Sequence, residues 1–320
     1  MATVLETDYA WPDDSIEREV IERAGHLLIT GPAVPALANE IERLVAEHQP
    51  AAIMTCWAQV SAQAIASVSD LRIVQRIGVG LDNIAVAAAT AHGAWVANVP
   101  DYCVGEVSDH AIALLLDWAR GSVLFDRQVK AGRWDSAAAR LRRVADLTVG
   151  VIGLGRIGRA TVGKLSGFGC TLLAYDPFAT DGGGARLVPL EALLAVSDVI
   201  VLHAPLTEAT HHLIDAGRLA LVRRGAFLIN VSRGPLIDNR ALLAALESGV
   251  LSGAGLDVID GEPDVPRALV ERPDVIVTPH VAFSSDASLA ELRRRSAEEV
   301  VRVLAGQPPQ NPCNRPEPRA

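Results

Sequence analysis

Short apolar runs alternate with amphipathic stretches along most of the chain. In the first third, His26–Thr30, Ala51–Cys56, Leu71–Ile77 and Ala94–Val99 are dense in aliphatic residues and read as strands. Between them, Pro35–His48, Ser61–Asp70 and the region of Ile84–Ala91 carry apolar residues at helical spacing. Strands apolar on both faces and separated by helices imply a parallel sheet. Val107, Ala111, Leu114, Leu115 and Trp118 then recur at helical spacing, which predicts one helix over Glu106–Arg120. Gly132–Arg143 is polar and irregular, and its Arg140-Leu141-Arg142-Arg143 run reads as a solvated face.

A second alternating series begins at Leu147. Its strands are Leu147–Ile152, Cys170–Tyr175, Val199–His203, Ala226–Val231, Gly253–Val258 and Val275–Thr278. Ile157–Phe168, Leu190–Val196, Asp215–Val222 and Asn239–Ser248 fill the gaps as helices, and a last helix runs from about Asp286 to Leu304. The proline-rich tail Gln307–Ala320 is expected to lie extended over the surface. Two α/β units therefore share the 320 residues, with a boundary near Pro100–Gly105. The final helix follows the second unit. If it folds back, the first unit is discontinuous: residues 1–103 plus 284–320, around 104–283.

Composition narrows the function. The net charge of −9 repels phosphate backbones and anionic lipid, so neither nucleic acid nor membrane is an expected partner. No apolar run approaches the roughly 20 residues that cross a bilayer. Glu6, Asp8, Asp13 and Asp14 crowd the N-terminus, where a signal peptide would be basic and then apolar. Cys56, Cys103, Cys170 and Cys313 are scattered without metal spacing, so no metal is expected and a cytoplasmic protein is.

Gly153-Leu154-Gly155-Arg156-Ile157-Gly158 is a G-x-G-x-x-G that follows a strand and opens a helix. Gly153 permits the tight turn, Gly155 a close approach of pyrophosphate to backbone, and Gly158 close helix–strand packing. The helix start supplies unbonded N–H groups and partial positive charge. Asp176, at the end of the next strand, suits the ribose hydroxyls and repels a 2′-phosphate, which favours NAD over NADP. In a parallel sheet, ligands bind at the carboxyl ends of the strands. Those ends carry His203-Ala204-Pro205, Ser232-Arg233-Gly234, Asp257 and His280, with Glu262 in the loop after Asp257. Hydride transfer to a 2-keto acid needs a group that holds the carboxylate and polarises the carbonyl, and a proton donor for the alkoxide. Arginine matches the first role and histidine the second, with a carboxylate to orient the ring. Arg233, His280 and Glu262 fill them.

At these residues the chain resembles the D-isomer-specific 2-hydroxyacid dehydrogenases. The resemblance rests on Arg76-Ile77-Gly78-Val79-Gly80-Leu81-Asp82-Asn83, Gly153–Gly158, Asn230-Val231-Ser232-Arg233-Gly234, Gly255-Leu256-Asp257-Val258 with Glu262-Pro263, and Thr278-Pro279-His280. It implies an α/β fold of two parallel-sheet domains, a flavodoxin-like substrate domain and a Rossmann NAD-binding domain, with a cleft between them and a homodimer. It implies that Arg233 orients substrate, His280 is the acid/base and Glu262 its partner. Backbone N–H groups at Gly78, Val79 and Gly80 would hold the substrate carboxylate. Ala204, Pro205, Val231 and Asp257 would line the nicotinamide side, Ser232 would also bind the cofactor, and Arg156 and Ile157 would meet the pyrophosphate.

Asn98-Val99-Pro100, Glu106-Val107-Ser108-Asp109, His211–Asp215 and His280-Val281-Ala282-Phe283-Ser284 resemble the branch of the C-terminal-binding proteins and phosphoglycerate dehydrogenase-like enzymes. Phe283 would then bear on side-chain preference. Thr55, before Cys56, stands where phosphoglycerate dehydrogenases usually carry an arginine, so an unphosphorylated keto acid is the expected substrate. Two alternatives stay open at this point: a NAD(H)-responsive interaction module, and a dehydrogenase of an unusual anion such as phosphonate, phosphite or formate.

Overall fold

The structure is a computed structural model and describes residues 1–137 and 139–316. Elements run in chain order as β1 (Thr3–Glu6), α1 (Ser15–Arg23), β2 (Leu27–Thr30), α2 (Ala38–His48), β3 (Ala52–Thr55), α3 (Ala62–Ala66), β4 (Ile73–Arg76), α4 (Val86–His92) and β5 (Trp95–Ala97). Next come α5 (Val104–Arg120), α6 (Ser122–Lys130), β6 (Thr148–Ile152), α7 (Arg156–Leu165), β7 (Thr171–Tyr175), β8 (Arg186–Leu187), α8 (Leu190–Val196) and β9 (Val199–Leu202). The chain continues through α9 (Ala216–Leu219), β10 (Ala226–Asn230), α10 (Asn239–Glu247), β11 (Leu251–Leu256), α11 (Arg267–Val270), β12 (Val275–Val277) and α12 (Asp286–Leu304). Two compact units result: Met1–Tyr102 with the chain from Ser285 onward, and Cys103–Ser284.

The first unit is a five-stranded parallel sheet in the order β2-β1-β3-β4-β5, the flavodoxin-like arrangement. Leu5, Ile53, Val74 and Val96 fill its core with Ile41 and Val45 of α2 and Ile65 of α3. α12 packs on α1, β3 and β4. A buried ion pair ties it to the start of the chain: Arg293 Nη2 donates to Glu17 Oε2 at 2.7 Å, and Glu17 is fully buried. The tail pairs with the sheet edge, where Pro312 bridges Ala97 in antiparallel fashion and the Asn314 side chain accepts from Val96 N–H. Residues 317–320 of the expected extended tail, and Ala138 of the Gly132–Arg143 stretch, lie outside the described residues.

The second unit is a seven-stranded parallel sheet in the order β12-β11-β10-β9-β6-β7-β8. The first of its strands, β6, sits at the topological switch point, as in a Rossmann sheet. Ile152, Ile200, Leu228, Ala254 and Val275 carry the core across five strands. Among the described residues no helix is long and apolar enough to cross a membrane.

β1, α1, α6, β8 and α11 are absent from the pattern-based reading, the last two being only two and four residues long. β1 is four residues long and ends in the buried Glu6, and α1 buries Glu17 alongside Ile21, so an acidic side chain interrupts the apolar pattern in both. None of the nine described residues of α6 is buried, so it shows no core-facing stripe.

Candidate active site

The glycine turn after β6 is held by contacts that demand glycine. Gly153 has φ +97°, and a Cβ there would strike the backbone of His203 and Ala204. A Cβ on Gly158 would run into the Gly153 carbonyl. Gly155, by contrast, caps α7 with open space where its Cβ would be. The backbone there can meet a diphosphate closely, at the N-terminus of a ten-residue helix begun by Arg156 and Ile157. Asp176 closes the turn: its Oδ2 accepts Leu154 N–H at 2.7 Å and its Oδ1 accepts Phe178 N–H at 2.8 Å. An ionised carboxylate has about four acceptor sites, so capacity remains for ribose hydroxyls.

Beside this turn lies His203. Its Nε2 is 2.9 Å from Thr161 Oγ1, and burial of the ring pushes its pKa down to about 4. The imidazole is therefore neutral at pH 7 and acts as a packing post between β9 and α7. Ala204 is buried and Pro205 exposed directly after it.

β10, β11 and β12 lie side by side, so their carboxyl ends present one row of loops. The first loop is shaped by the fully buried Asn230, whose Oδ1 accepts Ser232 N–H at 3.0 Å and whose Nδ2 donates to Arg233 O at 2.8 Å. Ser232 Oγ donates to Leu202 O at 2.8 Å, and Val231 is buried. Gly234 packs so tightly on the Ile259–Asp260 backbone that any Cβ would collide with it. Arg233 is thus carried close to the loop that ends in Glu262.

Glu262 Oε1 lies 2.7 Å from His280 Nδ1, with the imidazole mostly shielded and the carboxylate partly exposed. His280 has φ +54°, a left-handed backbone that costs a non-glycine residue about 1–3 kcal/mol and persists only when its surroundings over-determine it. Asp257 supplies that. Its carbonyl accepts His280 N–H at 2.8 Å, its Oδ1 accepts Val281 N–H and its Oδ2 Ala282 N–H, each at 2.9 Å. The Phe283 ring meets the His280 ring edge-on with centroids 6.3 Å apart.

In the first unit, the three carbonyls of the loop after β4 are each bonded within the fold. Gly78 O accepts from Val99 N at 3.1 Å, Val79 O from Asn98 Nδ2 at 2.6 Å, and Gly80 O from Arg76 Nε at 2.9 Å. Among the described residues the N–H groups of Gly78, Val79 and Gly80 have no internal acceptor.

Residues 112–282 match the NAD-binding domain of the D-isomer-specific 2-hydroxyacid dehydrogenases. The chain belongs to that family. Its members exchange a hydride between NAD and a 2-hydroxy acid, and the second unit is the NAD-binding domain. Glyoxylate reductase of Korarchaeum cryptofilum is 38% identical over 264 residues, 80% of each chain. D-3-phosphoglycerate dehydrogenase of Archaeoglobus fulgidus is 36% identical over 283 residues, 87% of this chain and 54% of that one, so the chain spans about half the length of this relative. The structure of D-lactate dehydrogenase from Aquifex aeolicus, complexed with NAD and lactic acid, superposes with a TM-score of 0.83 at 28% identity, covering 95% of this chain and 96% of that one.

Within this NAD-binding unit, two residues that bond to the strand-end loops escaped sequence reading. His110 lies on α5, and its partner Thr278 is 168 positions away, so no local spacing could have joined them. Asn230 sat inside a recognised motif, but its two turn-shaping bonds show only in three dimensions.

Proposed function

We propose that the protein reduces a small, unphosphorylated 2-keto acid to its D-2-hydroxy acid, with His280 and Glu262 as the acid/base pair and Arg233 as the substrate-orienting cation. The carrying observation is the 2.7 Å Glu262–His280 contact at the carboxyl end of the NAD-binding sheet. Glu262 accepts a hydrogen bond from Nδ1–H, so Nε2 is the nitrogen that exchanges a proton with substrate. Bound NADH supplies the hydride at its nicotinamide C4. Arg233 grips the carboxylate and polarises the keto oxygen. As negative charge grows on that oxygen, His280 Nε2–H delivers the proton, and Glu262 stabilises the imidazolium before transfer. Oxidation runs the same steps backward. The amides of Gly78, Val79 and Gly80, with their carbonyls bonded behind them, suit a carboxylate. Phe283, against the His280 ring, bears on the substrate side chain. On the cofactor, Gly155, Arg156 and Ile157 meet the diphosphate, Asp176 the adenosine ribose, and Ala204, Pro205, Val231, Ser232 and Asp257 the nicotinamide side.

We also read the protein as a cytoplasmic homodimer. All four cysteines are free. α6 and the loop after it expose Leu124, Val129, Leu141 and Trp134, the last 87% exposed, apolar surface of the kind a second copy would cover. Light scattering on the purified protein decides the oligomeric state.

A panel of glyoxylate, hydroxypyruvate, pyruvate and bulkier keto acids, each with NADH and NADPH, tests the reaction. Turnover that prefers NADH and disappears in His280→Ala is the expected result. Tight NADH binding without turnover of any keto acid would replace this reading with that of a NAD(H)-responsive interaction module.

A further inference from the structure

A polar relay runs from α5 to the backbone that presents His280. His110 Nε2 is 2.9 Å from Thr278 Oγ1, and Thr278 Oγ1 is 2.6 Å from Asp257 Oδ1. The direct His110 Nε2–Asp257 Oδ1 separation is 3.6 Å. The direction of these bonds follows from proton counting. The Asp257 carboxylate only accepts, so the single Thr278 hydroxyl proton goes to Oδ1. Thr278 Oγ1 must then receive its bond from His110, which places a proton on His110 Nε2. The same carboxylate accepts Val281 N–H and Ala282 N–H, and Asp257 O accepts His280 N–H. Every residue from Thr278 to Ala282 except Pro279 is therefore pinned to Asp257, and His280 is the one in the left-handed conformation. The Asp257 side chain is 1% exposed, so its orientation is set by these donors rather than by water.

We propose that His110 is a positioning residue for the reaction: through Thr278 and Asp257 it sets the backbone geometry of His280 and hence the His280–Glu262 contact. This rests on the acid/base role proposed above for His280. His110 touches neither of the proposed acid/base partners. It is 22% exposed at its side chain, and it holds one end of a chain whose other end is the strained residue.

The test uses the intact protein with NADH and the best keto acid from the panel. His110→Leu deletes the donor, and His110→Gln keeps an N–H near the Nε2 position. Thr278→Val deletes the link while preserving shape. His110→Leu is expected to lower kcat on the order of 10- to 100-fold, the scale of effect of a misplacement of about 1 Å at a reacting group. NADH affinity should stay within about twofold, and His110→Gln should recover most of kcat. A purely structural role would instead move the melting temperature and NADH binding along with kcat, without rescue by Gln. The His110→Leu/Thr278→Val double variant should be no worse than the poorer single one, because both cut the same chain. Should His110→Leu fold poorly, Thr278→Val carries the same kcat expectation. Additive losses, or near-wild-type kcat in folded His110→Leu or Thr278→Val, overturn the inference. If His280→Ala itself keeps turnover, the acid/base reading falls, and this inference falls with it. If His280→Ala is dead but His110→Leu is not, only the relay is wrong.

Discussion

Asp8 Oδ2 accepts the backbone N–H of Trp57 at 2.6 Å, while Asp8 Oδ1 accepts that of Cys56 at 3.1 Å. A carboxylate thus occupies the amides at the carboxyl end of β3, where a phosphate group would otherwise find donors. Thr55 adds a hydroxyl there rather than a cation. 3-Phosphohydroxypyruvate is therefore expected to be a poor substrate. Its kcat/KM should lie about 100-fold below that of hydroxypyruvate, equivalent to about 3 kcal/mol of lost transition-state binding. Steady-state kinetics with both compounds measure this, and equal values would remove Asp8 from the specificity argument.

The acid/base pair predicts a separation of chemistry from binding. His280→Ala should lower kcat by about 10²–10⁴-fold, the usual contribution of a positioned proton donor, with NADH affinity nearly unchanged. Glu262→Gln keeps a hydrogen-bonding group beside Nδ1 but loses the charge that stabilises the imidazolium, so its loss of kcat should be smaller than that of His280→Ala. Fluorescence titration with NADH alongside turnover checks both. A Glu262→Gln enzyme as fast as wild type would remove Glu262 from the mechanism.

Cofactor preference should respond to Asp176. The residue joins the glycine turn to β7 through Leu154 N–H and carries the charge expected to disfavour a 2′-phosphate. Asp176→Ala should raise the KM for NADH by about tenfold, the equivalent of about 1.4 kcal/mol. It should also narrow the preference for NADH over NADPH. Measuring KM for both cofactors tests this, and an unchanged ratio would assign Asp176 to turn geometry alone.

Glu6 predicts a pH dependence of stability. Burial pushes its pKa up to about 9, helped by the neighbouring carboxylates of Glu17 and Asp14, and both its oxygens have no hydrogen-bond partner among the described residues. In the unfolded chain it ionises near 4.5. Between these values the native state holds the extra proton. The contribution of Glu6 to stability is therefore intact below pH 4.5 and is lost progressively as pH rises towards 9, at up to about 1.4 kcal/mol per pH unit. Glu6→Gln, which cannot ionise, should match wild type near pH 5 and become the more stable protein at pH 8. Urea unfolding at the two pH values decides it, and a constant difference between the proteins would show that Glu6 does not titrate with folding.

Much of the second unit was legible because its strands are apolar on both faces and its helices carry clean stripes. The glycine turn, Asp176, Arg233 and His280 sit just past strand ends, where short-range pattern and chemistry coincide, and Glu262 lies in the loop after β11. Boundaries of short elements were less legible: Asp215–Val222 reads as a helix, but Asp215 is a cap and α9 spans Ala216–Leu219. The first unit was harder. Its β1 lies between β2 and β3, yet it ends in a buried acid that breaks the apolar pattern. α1 is held by the Glu17–Arg293 pair, whose partners stand 276 positions apart. Contacts of that span, like Asp8 with Trp57 or His110 with Thr278, leave no periodic trace in a single sequence.

The strand order has a practical corollary for engineering. β9 separates the pair β6 and β7, whose ends carry the glycine turn and Asp176, from the trio β10, β11 and β12, whose ends carry Arg233, Glu262 and His280. Neighbouring strands stand about 4.8 Å apart, so β7 and β11 are divided by roughly 19 Å of sheet. Cofactor choice and turnover are thus separable traits, open to independent rounds of mutation and selection whose gains should combine additively.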